Sequence, residues 1–432
     1  MKYLKIVPMR LSAGLLTACL LLAGCGASTE REEGSQTVSA GSQIQAAEEG
    51  SEDTSADSSP LKNAEHSIPD HENGYSDETV MPEETSETEQ GSDSENSDTA
   101  GTSAAALSEE EKENLRSQLL IMQDYDRYTY ANMLTDTAVL LQLYPDLFTQ
   151  DSIGVTADGR ELVHYVVGNP AASKQIFING AIHAREYLTF QLVMKQMCVY
   201  LQHVDQGDVW GSLTYRDMWD QVAIHVVPLV NPDGVQISQF GLDGIQNESI
   251  RDGIYQLAAN DGTDVTAYYL DHWKANAVGV DLNRNFDAYW EYYAGTGYPS
   301  SDHYKGDYPG SEPEAAALIR LTESNQFLYT ISYHTQGQVI YWNFENIDPV
   351  YDLSAQWVSR IAAQTGYSPI NDFSTVDPAG YSDWAIYRHQ IPSVVIEVAS
   401  GDSPYLASQF QQIWQENLNI WELTVEEAML YR

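Results

Sequence analysis

Cysteine is scarce: the 432 residues include three, Cys19, Cys25 and Cys198. Cleavage of an export segment before Cys25 leaves two, and a lipid on Cys25 leaves no pair, so the fold is expected to stand without an intramolecular disulfide. Cys198 falls in an apolar helical stretch with Leu192, Val193, Met197, Val199 and Leu201, and reads as a small buried hydrophobe. Basic residues are also few. Lys and Arg total 21 against 63 Asp and Glu, a formal net charge of −42, which excludes the electrostatic footprint of nucleic-acid binding. The apolar run Leu11 to Leu22 is shorter than the ~20 residues that span a bilayer as a helix. No internal repeat interrupts the chain.

What is present divides the chain unevenly. Lys2, Lys5 and Arg10 precede the short apolar run, which ends in Leu22-Ala-Gly-Cys25, the pattern of a cleaved export signal. Small residues directly before a cysteine resemble the lipobox of bacterial lipoproteins. Residues 1–25 are therefore expected to be a signal peptide, and Cys25 the lipidated first residue of the mature protein, its anchor to a membrane. An uncleaved anchor, or an ordinary signal with an incidental cysteine, is the alternative. From Gly26 to Ala106, twenty acidic residues face Arg31 and Lys62 amid Ser, Thr, Gly, Gln and Ala. Such a composition buries too little apolar surface to offset its ordering entropy. Residues 26–107 are thus expected to be a disordered, self-repelling linker, with a calcium- or protein-binding tail as the alternative.

From Ser108 the character becomes globular. Ser108 with Glu111, followed by Leu115, Leu119, Leu120 and Met122, predicts a capped helix, and Tyr130 to Leu143 a second, stopped near Pro145. Short apolar runs predict strands over 161–167, 175–179, 222–228, 328–333 and 393–398. Helical patterns fall at 186–202, 312–324, 351–366 and 406–430. Buried strands separated by helices imply one α/β domain over 108–432, built on a mixed, mostly parallel twisted sheet with helices on both faces.

Where the strand near Ile178 gives way to a helix, His183-Ala-Arg-Glu186 sets a histidine and a glutamate three residues apart, a spacing that sends both to one side of a helical turn. A catalytic zinc needs three ligands of this type and an open position. The candidate for the third is His334, at the carboxyl end of another predicted strand, where ligand sites of open α/β sheets collect. A hydrogen-bonded core histidine is the alternative reading of His334 alone. His164 and His225 fall inside strands, and the remaining histidines lie in polar or loop contexts.

From about Tyr128 to Arg432 the chain resembles the zinc carboxypeptidases of the carboxypeptidase A type. The resemblance rests on four motifs in order: His183-Ala-Arg-Glu186; Pro228-Leu-Val-Asn-Pro-Asp-Gly234; Gly279-Val-Asp-Leu-Asn-Arg-Asn-Phe286; and Ser332-Tyr-His334 coupled to Asp383-Trp384 and Ile396-Glu397-Val398. It implies one zinc held by His183, Glu186 and His334, with Asp281 orienting His183. It implies that Asn283 and Arg284 grip a substrate's terminal carboxylate, and that Glu397 is the general base. The expected reaction is hydrolysis of a peptide bond near a free C-terminal carboxylate, by a water that zinc activates and Glu397 deprotonates.

Two positions depart from the family pattern. The arginine that polarises the scissile carbonyl is matched by Lys274, a point charge without arginine's fork, here expected to share oxyanion stabilisation. The family's mobile active-site tyrosine falls on Thr375, with Tyr381 nearby. Trp273-Lys-Ala-Asn276 and Gly337-Gln-Val-Ile-Tyr-Trp342 look more like the bacterial branch that cleaves γ-D-glutamyl bonds to diaminopimelate in cell-wall peptidoglycan. The side-chain selectivity position, Ser382, favours neither basic nor apolar residues. Substrates are thus peptides or muropeptides, with a non-catalytic, zinc-dependent peptide-binding lipoprotein as the rival reading.

Overall fold

Side chains alternate across a strand, and residues 176–178 show what that does here. Ile176 and Ile178 join the larger core, with Leu192, Met197, Trp357 and Trp421 from the helices Leu188–Gln206, Val350–Thr365 and Ile420–Leu430. Phe177 points the other way, into a second core with Leu318 of helix Pro313–Glu323 and Tyr381 and Trp384 of helix Tyr381–His389. A sheet buried on both faces reads as continuous apolar runs, which is why its central strands were visible in the sequence. The computed structural model describes residues 107–123, 127–401, 404 and 407–431. The export segment with Cys25, the acidic segment up to Ala106 and the side chain of Thr375 lie outside the described residues.

The sheet has eight strands. In chain order they are β1 (Phe148–Val155), β2 (Glu161–Val167), β3 (Lys174–Gly180), β4 (Val222–Val227), β5 (Phe327–Thr335), β6 (Val339–Tyr341), β7 (Ser368–Ile370) and β8 (Ser393–Val398). Their spatial order is β1-β2-β4-β3-β5-β8-β6-β7. The central β4-β3-β5-β8 run is parallel throughout, and β1 and β2 join one side of it antiparallel. On the other side β6 pairs antiparallel with β8 and parallel with β7. The expected class, a mixed, mostly parallel sheet with helices on both faces, is the one found.

The helix expected to start at Glu186 begins instead at Leu188, because Ala184–Glu186 forms a separate 3-10 turn. It ends at Gly207, whose φ of 70° closes the helix in the left-handed region that glycine adopts without strain. The single helix expected over 406–430 is two, Phe410–Glu416 and Ile420–Leu430, broken where Asn419 takes φ 70°. The predicted N-terminal cap forms, Ser108 and Glu111 closing a capping box, and Thr129 caps Tyr130–Leu143 as well. Cys198 is buried and free, and burial pushes its thiol up to about 12.

Two histidines stack on the sheet. His164 of β2 meets Asp151 of β1 through Nδ1 at 2.7 Å and His225 of β4 through Nε2 at 3.1 Å. Burial, then the neighbouring His164, push the His225 pKa down to about 4. The folded protein therefore binds fewer protons than the unfolded chain between about pH 6.5 and 4, and loses stability as pH falls through that window. Urea unfolding should show this pair costing about 2 kcal/mol between pH 7 and pH 5, a loss that shrinks in His225→Gln. Equal pH slopes in the two proteins would remove the pair from the account.

Candidate active site

The strand ends position the site. β3 finishes at Gly180, and the chain runs through extended His183 (φ −94°, ψ 133°) into the 3-10 turn that carries Glu186. His183 thus projects from extended backbone before the turn, and not from a helix as its spacing implied. His334 is the penultimate residue of β5, and parallel pairing with β8 sets Glu397 directly beside it. Residues from three sequence regions meet because β3, β5 and β8 are parallel neighbours whose carboxyl ends coincide.

His183 Nδ1 lies 2.8 Å from Glu186 Oε1, and His334 Nδ1 lies 3.1 Å from Glu186 Oε2. The Thr335 N–H donates to Glu186 Oε2 at 3.1 Å. All three side chains are buried, and their ligand atoms fall within 4.8 Å of one another. Behind His183, Asp281 Oδ1 stands 3.2 Å from Nε2. Two imidazole nitrogens facing a carboxylate, with a second carboxylate on the far ring nitrogen, is the donor set of a catalytic zinc. Burial alone raises the Glu186 pKa, but His183 and His334 outweigh it and hold the carboxylate well below its usual range. His334 is raised: burial lowers it, and the Glu186 carboxylate more than compensates.

Asn231 of the Pro228–Gly234 motif is buried and works from behind, its amide donating to Ile182 O at 3.2 Å and Ala275 O at 3.0 Å. With the Ala184 N–H donating to Lys274 O at 3.0 Å, this bolts the His183 turn to the Lys274 segment. Lys274 is buried at the cleft, its Nζ 3.0 Å from Asp281 Oδ2 and 3.0 Å from Asp302 Oδ1. Burial lowers its pKa, but the two aspartates raise it further, so it is charged. Sequence reasoning missed Asp302, which also lies 3.6 Å from Arg185. It comes from an irregular Tyr- and Gly-rich loop with no motif to mark it.

A cleft of about 270 Å³ gathers His183, Glu186, His334 and Lys274 with Asn283, Arg284, Tyr341, Asp377, Ser382, Asp383 and Glu397. Asn283 Oδ1 accepts from the Tyr381 N–H at 3.0 Å, which fixes its amide. Arg284 Nη1 donates to Asn283 O at 2.6 Å, and its guanidinium lies 5.2 Å from the Tyr293 ring centroid. Glu397 Oε2 is buried without a hydrogen-bond partner, and burial pushes the carboxyl up to about 8. Tyr381 does not serve the cleft: it is fully buried against Phe177 and Phe286, with its hydroxyl 3.0 Å from Thr322 Oγ1. Among the described residues, the tyrosine that lines the cleft is Tyr341 of β6, within the Gly337–Trp342 string that the sequence had already singled out.

An open α/β sheet with two histidines and a glutamate converging at its strand ends, and a buried carboxylate beside them, defines a metallopeptidase. The chain belongs to the zinc carboxypeptidase family, whose model matches residues 133–420, and with the family comes one zinc per chain. It is similar to gamma-D-glutamyl-L-diamino acid endopeptidase 1 of Lysinibacillus sphaericus, 32% identical over 304 residues that cover 70% of this chain and 73% of that protein. It is also similar to carboxypeptidase B of Astacus astacus, 28% identical over 275 residues covering 60% and 81%. The fold matches bovine thrombin-activatable fibrinolysis inhibitor bound to tick carboxypeptidase inhibitor, with a TM-score of 0.56 at 18% identity, covering 71% of this chain and 99% of that one.

Elemental analysis after dialysis should find one zinc per chain in the wild type and none in His183→Ala or His334→Ala. Asp281→Asn should weaken zinc binding about 10- to 100-fold, as loss of an orienting carboxylate does. Asp302 and His303 also approach Asp281, so a second equivalent of zinc lost in Asp302→Asn would show that this cluster binds metal too.

Proposed function

We propose that this zinc metallopeptidase cleaves the peptide bond preceding a residue with a free carboxylate, with His183, Glu186 and His334 as the metal ligands. The observation that carries the reading is a single cleft joining the metal donors and Glu397 to the Asn283–Arg284 pair. A planar guanidinium beside an oriented amide suits a carboxylate, and that grip sets the register of the bond to be cut. Zinc held there by His183, Glu186 and His334 would supply Lewis acidity and make the attacking water more acidic. Glu397, free of hydrogen bonds at Oε2, takes the proton from the attacking water and returns it to the departing nitrogen. Lys274 offers its charge to the oxygen on which negative charge develops. Burial raises the Glu397 pKa to about 8 despite the nearby His334 and Lys274, and a zinc ion held by His183, Glu186 and His334 would favour its ionised, proton-accepting form.

For the substrate we take the γ-D-glutamyl bond to a diamino acid in cell-wall peptides, with ordinary C-terminal residues as the second reading. The activity for which the Lysinibacillus sphaericus relative is named supports the first, and the Asn283-Arg284 pair, common to plain carboxypeptidases, keeps the second. Export and a lipid anchor at Cys25 suit an enzyme of the wall and are part of this reading. Binding without catalysis is not taken up, because Glu397 and the full donor set share the cleft.

Glu397→Gln should lower kcat about 10³-fold with zinc retained, and Arg284→Ala should mainly raise KM, by about 30-fold. Products read by mass spectrometry from a γ-D-glutamyl-diaminopimelate muropeptide and a plain peptide with a free carboxyl end decide the substrate. Cleavage of the plain peptide alone would overturn the wall reading, and a fully active Glu397→Gln would overturn the mechanism.

A further inference from the structure

One carboxylate at the cleft has no part in that chemistry. Asp377 lies where three cavities meet: the catalytic cleft, a small side pocket of about 20 Å³ that includes Phe344, Ile370 and Phe373, and an open hollow of about 520 Å³ that includes Tyr292, Thr296 and His303. No other described residue lines all three. Its side chain is 56% exposed, and its Oδ2 stands 3.8 Å from Arg284 Nη2, beyond hydrogen-bond distance. Asp383, which lines both the cleft and the side pocket, is engaged by the Gly380 N–H at 3.0 Å. Ser382, the position expected to choose the released side chain, is buried and uncharged.

A cation and an anion 3.8 Å apart on one wall suit a ligand carrying both a carboxylate and an ammonium. If Arg284 holds the α-carboxylate of the released residue, its α-nitrogen is still in the scissile bond. The ammonium available to Asp377 must then come from the side chain. We infer that Asp377 is a specificity-determining residue that binds the side-chain ammonium of the released residue, so that the enzyme selects a diamino acid there. This rests on the assignment of Arg284 given above and names the group that would read the amine. The side pocket's apolar wall faces the methylenes of such a side chain, and the open hollow leaves room for substituents at its far end.

The test separates the released residue from the scaffold. Peptides ending in diaminopimelate, lysine or norleucine, which is lysine without its side-chain ε-amino group, are prepared in γ-D-glutamyl and in ordinary α-linked form. On the zinc-loaded full chain, kcat/KM should favour lysine and diaminopimelate over norleucine by about tenfold or more within either scaffold. Asp377→Asn should reduce that preference to about two- to threefold, and Asp377→Glu should keep most of it. Calorimetry on the Glu397→Gln full chain with free diaminopimelate, lysine and norleucine reads the same preference without turnover. A γ-D-glutamyl scaffold that is not cleaved overturns the substrate reading and leaves the amine preference readable from the α-linked scaffold and from binding. Equal treatment of lysine and norleucine, a preference that survives Asp377→Asn, or no binding of diaminopimelate would each overturn the role of Asp377.

Discussion

The site hangs on one fully buried carboxylate. Asp281 stands 3.2 Å from His183 Nε2 and 3.0 Å from Lys274 Nζ, and its Oδ1 accepts from the Asn283 N–H at 3.2 Å. It therefore orients His183, one of the proposed metal ligands, anchors the Lys274 ammonium at the cleft and caps the turn that presents Asn283 and Arg284. Burial alone would drive such a group to protonate, but Lys274 and His183 outweigh it and hold its pKa far below the usual range. A buried charge is tolerated only when paired on all sides, so the three functions are coupled: disturbing any partner leaves Asp281 uncompensated. Asp302 extends the coupling outward, holding Lys274 from its other side.

The second constraint is strand register. Parallel pairing of β5 and β8 matches Glu397 with His334 and Val398 with Thr335. A one-residue slip would turn Glu397 to the opposite face of the sheet, and the apolar neighbours Ile396 and Val398, buried in the larger core, prevent it. The position of the proposed base is thus fixed by hydrophobic burial on either side of it in sequence, with no hydrogen bond needed to hold its Oε2.

This explains what the sequence revealed and what it hid. The central strands and His183, Glu186, His334 and Glu397 were legible because buried parallel strands are continuous apolar runs, and ligands follow at their ends. β1 was not, since Phe148–Val155 is an edge strand exposed along most of its length and reads as polar. β6 and β7, three residues each, are too short for any periodicity. Asn419 broke an otherwise helical pattern because its left-handed backbone leaves no mark in apolar spacing. Lys274 lines the cleft, but its clamp was invisible in the sequence: Asp302 sits in an irregular loop, and only the fold brings it within 3.0 Å.

Charge adds a last step. From Leu107 onward sixteen basic residues face forty-three acidic ones, yet Arg185, Lys274 and Arg284 all line one cleft. The field of the whole domain attracts cations and resists anions at long range, falling off beyond ~8 Å at physiological salt. A carboxylate-bearing substrate is therefore accepted only by short-range contact with those local cations, where desolvation and fork geometry dominate. An ammonium on the same substrate gains from both ranges, from the field on approach and from an exposed anion such as Asp377 on arrival. On the proposed reading, a substrate whose released end carries charges of both signs offsets the repulsion that its carboxylate meets on the way in, which gives a strongly acidic domain a physical reason to pair its arginine with an aspartate.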